Sequence, residues 1–176
     1  MGNKICDNKS VGQIIYKGPE ILLIERRNYP RSYALPAGHL DGDDFETAAL
    51  RETKEETGIV ITKNKLVWEG KINNYCKRQN GSYHQWAVFQ AEEWSAEAVA
   101  GSDAKKVFWA PIDSLKKMAL RTAYFLEKYK LNYEQVGELT GKIFGNPVQP
   151  ATDPEWEKEN GLEPVWYFIL KSLKII

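Results

Sequence analysis

Cysteine is scarce in this chain of 176 residues. Cys6 and Cys76 are the only two, too few for a disulfide framework, which points to a reducing, cytoplasmic compartment. Net charge is missing too. The 24 Lys and Arg balance the 24 Asp and Glu, so no global field gathers a polyanion, and a long nucleic-acid partner is not expected. No apolar run approaches the ~18 residues that cross a bilayer, so no membrane span is expected. The first residues carry no apolar h-region, so no secretory signal is expected. The opening MGNKIC only brushes the myristoylation pattern, because Cys6 stands where Ser or Thr is usual. There is no internal repeat. The length and the 43% hydrophobic content suit one domain with an appendage.

What is present alternates between strand and helix patterns. SVGQIIYK and EILLIER read as two strands around the turn Lys17–Pro19, and YALPAG as a short extended piece. Asp43 followed by Glu46 has capping-box spacing, so a helix is predicted from about Asp44, stopped by Gly58. Strand patterns return in IVITKNKLVWEGKINNYC and YHQWAVFQAEE, then in KVFWAP after an acidic loop. DSLKKMALRTAYFLEKY predicts an amphipathic helix capped by Asp113. NYEQVGELTGKIFG predicts another, opened by Asn132 and closed by Gly145. Strands on both sides of a long helix argue for a mixed α/β fold with a central sheet.

The chemistry concentrates in GHLDGDDFETAALRETKEETG, Gly38 to Gly58. Seven carboxylates lie there in a chain of zero net charge, offset only by Arg51 and Lys54. On a helix, Glu52, Glu55 and Glu56 converge within one turn. Glu52 and Glu56 are a like-charge pair four residues apart, which costs a helix about 0.2–0.5 kcal/mol. Such a group is either a solvated acidic face or an oxygen site for a hard divalent cation, which would supply the missing positive charge.

The whole stretch resembles the Nudix box, with Gly38, Arg51, Glu52, Glu55, Glu56 and Gly58 at matching positions. The resemblance covers residues 10 to 130. One residue is missing between the first Gly and the Arg, so no residue falls cleanly at the first box Glu. Asp44 keeps its spacing from Gly38, and Asp43 keeps its spacing from Arg51. The apolar position after Arg-Glu holds Thr53. The resemblance implies an α/β/α sandwich with a central mixed sheet over residues 1–130, and hydrolysis of a nucleoside diphosphate linked to a further group. The substrate would be a nucleoside triphosphate or dinucleoside polyphosphate, with ADP-ribose and nucleotide sugars as the alternative and a non-catalytic nucleotide-binding regulator as the contrasting class. It implies Mg2+ or Mn2+ on Glu52, Glu55 and Glu56 with the Gly38 carbonyl, and Arg51 orienting the glutamates. The base would be Glu55, Glu56 or a loop acid, Asp103 being six residues before Trp109. Glu92, Glu93 and Glu97 are its rivals.

Arg31, Tyr33, His39, Lys77 and Arg78 are the candidates to hold a small nucleotide by stacking and by phosphate contacts. His84 falls on a strand pattern and reads as a packed or exposed histidine. Residues 131–176 lie beyond the resemblance. Their Phe144, Trp156, Trp166, Tyr167, Phe168 and Ile169 are too apolar for water. That appendage must pack on its own domain or line a homodimer interface.

Overall fold

The computed structural model describes residues 4–101, 104–147 and 149–176. Two sheets form its centre. The first is mixed, in the order β5 (Ala37–His39), β1 (Lys9–Ile14), β7 (His84–Ser95) and β6 (Val60–Ile72). Within it β1 and β7 run parallel, and the other neighbours run antiparallel. The second sheet is antiparallel. There β3 (Glu20–Arg26) pairs with β2 (Tyr16–Lys17), β4 (Tyr33–Ala34) and β8 (Ala104–Pro111).

The pleat sorts side chains between two helical layers. Val11, Ala87 and Phe89 pack with Leu40, Ala48 and Ala49, the last two on α1 (Phe45–Thr57). From the same strands Ile14, Trp86 and Val88 join the larger cluster on the opposite side. That cluster takes in Leu115 and Phe125 of α2 (Ile112–Lys128), Leu139 and Ile143 of α3 (Val136–Phe144), Trp156 of α4 (Pro154–Lys158), and Trp166 and Ile169 of α5 (Pro164–Ser172). Gly12 of β1 lies flat under the Trp166 ring, where a Cβ would overlap the indole.

The C-terminal residues are therefore buried within their own chain: Trp156 is 0% exposed, Trp166 1% and Phe144 0%. A parallel bridge from Leu162 to Tyr33 seats the segment before α5 on β4, with Tyr33 N–H to the Gly161 carbonyl at 2.9 Å and Glu163 N–H to the Tyr33 carbonyl at 2.8 Å.

Several element ends differ from the sequence expectation. The cap of α1 is Asp44, which accepts from Thr47 N–H at 2.9 Å; Asp43, placed in the capping box by spacing, is engaged elsewhere. Gly58 ends this helix in the left-handed region at φ 72°. Asp113 does not cap α2, which starts at Ile112 after Pro111 without a side-chain cap. Asn132 does not open α3 either. Its side chain accepts from Glu134 N–H at 2.9 Å in a turn, and the helix begins four residues later at Val136. The segment between α3 and α5 contains a short helix, α4, capped by Asp153.

Candidate active site

Helix α1 delivers the box carboxylates to the end of the mixed sheet. Thr53, at the apolar position of the box, is buried against the core. Its hydroxyl donates to the Ala49 carbonyl at 2.7 Å, so no polar atom is stranded. The other side of the helix is acidic. Glu52 and Glu56 line a cavity of about 320 Å³ together with Gly38, Arg26, Lys77 and Glu163.

Glu56 Oε2 accepts from Ala37 N–H at 2.9 Å. Burial pushes its carboxyl up to about 7, with Arg26 and the Ala37 N–H opposing the shift and Glu52 adding to it. Burial also raises Glu52, against the pull of Arg51. Gly38 faces Glu52 so closely that a Cβ there would overlap the carboxylate. Glu55 is different: its side chain is 60% exposed, 3.5 Å from Arg51 Nη1, and it does not line the cavity. Two of the three expected carboxylate ligands thus face the cavity. The donors are hard oxygens, two of them on carboxylates that burial disfavours as anions, which fits a divalent cation.

Arg51 is committed to holding this arrangement. Its Nε donates to Asp43 Oδ2 at 2.8 Å, Nη1 to Glu52 Oε1 at 2.6 Å, and Nη2 to the carbonyls of His39 and Leu40 at 3.0 and 3.1 Å. The shortened loop therefore divides two tasks between adjacent residues. Asp44 caps the helix and Asp43 anchors the arginine.

Of the proposed nucleotide contacts, the structure brings His39, Lys77 and Arg78 to the cavity and leaves two outside it. Tyr33 packs edge-on against Phe108 at 5.9 Å and borders a separate cleft near Arg121. Arg31 borders another cleft beside Arg27 and Lys105. Both precede the box closely in sequence, but β4 pairs with β3 in the second sheet, whereas β5, which carries Gly38 and His39, pairs with β1 in the first. Arg78 makes a two-pronged ion pair with Asp41, through Nη1 to Oδ1 and through Nη2 to Oδ2 at 2.9 Å. The Arg78 hydrogen bond holds the Asp41 carboxyl down at about 2. Of the loop acids, Glu92 pairs with Lys63 at 3.2 Å, away from the cavity. Asp103 lies outside the described residues. Gly101, shortly before it, docks on the end of α1 through its N–H to the Glu56 carbonyl at 2.9 Å.

Two further residues line the cavity: Arg26, a strand-end cation that the sequence offers for phosphate without singling it out, and Glu163, which sequence reasoning missed. Arg26 Nη1 lies 3.6 Å from Glu163 Oε2, and the Glu163 side chain is only 14% exposed. Burial raises the Glu163 carboxyl, with Arg26 and Lys77 opposing. Its one sequence signal is its place before Pro164 at the start of an apolar run. His84, read as an ordinary strand histidine, is buried and faces His39, Cys6 and Cys76.

The family model described as NUDIX domain matches residues 8–129. An ADP-ribose pyrophosphatase of Methanocaldococcus jannaschii is 32% identical over 123 residues, covering 68% of this chain and 71% of the relative. Among solved structures, a MutT NUDIX hydrolase from Burkholderia pseudomallei is 26% identical with a TM-score of 0.53, over 60% of this chain and 84% of that one. The NUDIX domain of Shewanella oneidensis NrtR, solved in complex with ADP ribose, shares the fold at 18% identity and a TM-score of 0.50, over 66% and 79% of the two chains. The match over residues 8–129 and the box on α1 lead to one assignment: the chain belongs to the Nudix hydrolase family, whose members use divalent metal ions.

Proposed function

We propose that this enzyme cleaves the phosphoanhydride of a nucleoside diphosphate linked to a second group, with Mg2+ as the working ion, Mn2+ as a substitute, and ADP-ribose as the leading substrate. One observation carries the reading: Glu52 and Glu56 share a cavity with the cationic side chains of Arg26 and Lys77. A site holding acids on one wall and cations on another suits a metal–pyrophosphate group. The choice of ADP-ribose draws on the named activity of the Methanocaldococcus jannaschii relative.

Glu52, Glu56 and the Gly38 carbonyl would hold the metal, with the exposed Glu55 turning in as a further ligand; when bound, the ion would polarise a phosphoryl oxygen and acidify water. The protein side of the reaction is positional. Arg51 and Asp43 fix Glu52, and Ala37 N–H fixes Glu56. Lys77 and Arg26 would face the phosphates, while Tyr29 and Tyr75 give the cavity an aromatic wall. Water adds to one phosphorus, the bridging P–O bond breaks, and ADP-ribose yields AMP and ribose 5-phosphate. The water's proton would go to a box glutamate or to a loop acid such as Asp103. Asp103→Asn tests the loop acid: lowered turnover with Mg2+ affinity kept assigns the proton to Asp103, and unchanged turnover assigns it to a box glutamate or another loop acid.

The test is a panel of ADP-ribose, nucleotide sugars, dinucleoside tetraphosphates and nucleoside triphosphates with Mg2+. ADP-ribose is expected to give the highest kcat/KM, with AMP as product. Pyrophosphate release from triphosphates alongside inert ADP-ribose would overturn the substrate assignment. No hydrolysis across the panel would favour a nucleotide-binding regulator.

A further inference from the structure

The chain has two cysteines and two histidines. All four meet at one point, where one ligand atom from each lies within 4.8 Å of every other. Cys6 Sγ is 3.5 Å from His39 Nε2 and 3.2 Å from His84 Nε2. Cys76 Sγ is 3.3 Å from His39 Nε2, and the two Nε2 atoms are 3.3 Å apart. Bond lengths of about 2.3 Å to sulfur and about 2.0–2.1 Å to nitrogen give a zinc tetrahedron edges of about 3.6 Å (S to N) and about 3.3 Å (N to N). Four of the six edges stand near those spacings, and the remaining two, Cys6 Sγ to Cys76 Sγ and Cys76 Sγ to His84 Nε2, are within 4.8 Å.

The surroundings are those of ligands. Cys6 Sγ accepts from Asn8 N–H at 3.3 Å, and Cys76 Sγ accepts from Arg78 N–H at 3.3 Å, each donor two residues beyond its cysteine. Such donors stabilise thiolates. Asn74 Oδ1 lies 2.9 Å from His84 Nδ1. The Nδ1 atom then carries the proton, and Nε2 turns its lone pair to the cluster, as for a metal-bound imidazole. Gly81 leaves room for the group, since a Cβ there would overlap Cys76 Cβ and lie 3.0 Å from Cys6 Sγ. No helix or strand periodicity requires these four side chains to meet.

We propose that Cys6, His39, Cys76 and His84 form a four-coordinate structural zinc site on the wall of the substrate cavity, apart from the carboxylates of α1. Two thiolates and two neutral imidazoles saturate the ion and leave no open position, which marks a structural rather than a catalytic centre. Binding releases the two thiol protons and leaves the site neutral. The cross-link joins the N-terminal segment, β5, the 73–83 loop and the start of β7. That loop carries Lys77 and Arg78 directly after Cys76, so zinc fixes where these cations stand. His39, expected to touch phosphate, becomes a ligand. The assignment stands on ligand geometry and does not depend on the identity of the substrate.

Metal analysis and cobalt substitution of the full chain test it. The chain dialysed free of loose metal is expected to hold one zinc, and reconstitution with cobalt is expected to give tetrahedral d–d bands and a thiolate-to-cobalt charge-transfer band. Glu56→Gln keeps both signals, separating this ion from the hydrolytic one, whether or not any substrate is turned over. Cys6→Ser with Cys76→Ser loses both. Should that double variant fail to fold, Asn74→Ala serves instead, with zinc affinity lowered roughly 10–100-fold. Absence of stoichiometric zinc with no cobalt spectrum overturns the proposal. So does a Cys6–Cys76 disulfide found by mass in the metal-free native chain, or zinc retained undiminished by the folded double variant.

Discussion

The N–H of Ala37 donates to Glu56 Oε2 at 2.9 Å, fastening the last turn of α1 to the strand that leads into the box. This contact offsets only part of the cost of burying the carboxylate, whose pKa rises from 4.5 to about 7. A carboxyl raised on folding stabilises the fold while it is protonated. That contribution is complete below about pH 4.5 and is lost as pH climbs through about 7, a difference on the order of 3 kcal/mol. In chelator, urea midpoints of the wild type should therefore fall across this window. Glu56→Gln should remove the Glu56 share of the fall, leaving the part due to the raised Glu52 and Glu163 carboxyls, and excess Mg2+ should restore stability at high pH. Parallel profiles for the two proteins would contradict the burial account.

Adjacent aspartates should separate cleanly. Asp43 receives Arg51 Nε at 2.8 Å, whereas Asp44 receives Thr47 N–H at 2.9 Å. Asp43→Asn is expected to weaken metal affinity or turnover roughly 10–100-fold, read by titrating Mg2+ against rate. Asp44→Ala is expected to cost about 1 kcal/mol in a urea melt, with the Mg2+ titration unchanged. Reversed effects would return the anchoring role to Asp44.

Trp166 fills the space over Gly12 and is 1% exposed. Trp166→Ala should lower stability by about 3–5 kcal/mol. Truncation after Lys130 removes α3, α4 and α5, the layer covering Trp86 and Val88, and should leave a chain without a cooperative transition. A truncated chain that melts cooperatively and keeps full activity would show that the appendage is dispensable.

The box and the helix carrying it were legible because their signals are local. Spacing over a few turns places Arg51, Glu52 and Glu56 on one helix, and Gly58 stops it. The split between Asp43 and Asp44 was legible only as an ambiguity, because a one-residue deletion leaves both at plausible offsets. Arg31 and Tyr33 misled because nearness in sequence to Gly38 does not survive the change of sheet between β4 and β5. Arg26 and Glu163 come together through the parallel bridge from Leu162 to Tyr33, a pairing across more than a hundred residues that no periodicity announces. The Cys and His cluster was hidden for the same reason. Only Cys76 and His84 are near neighbours, and Cys6 joins them through the Ile5–Gln79 bridge.

The most direct test of the central claim is Mg2+-dependent turnover of ADP-ribose by the wild type and by Glu56→Gln, with AMP quantified. The wild type should release AMP only with a divalent ion, and Glu56→Gln should lose at least about tenfold in kcat/KM, since even changes behind a metal's ligands cost roughly 10–100-fold. Undiminished Mg2+-dependent turnover by Glu56→Gln would contradict the account.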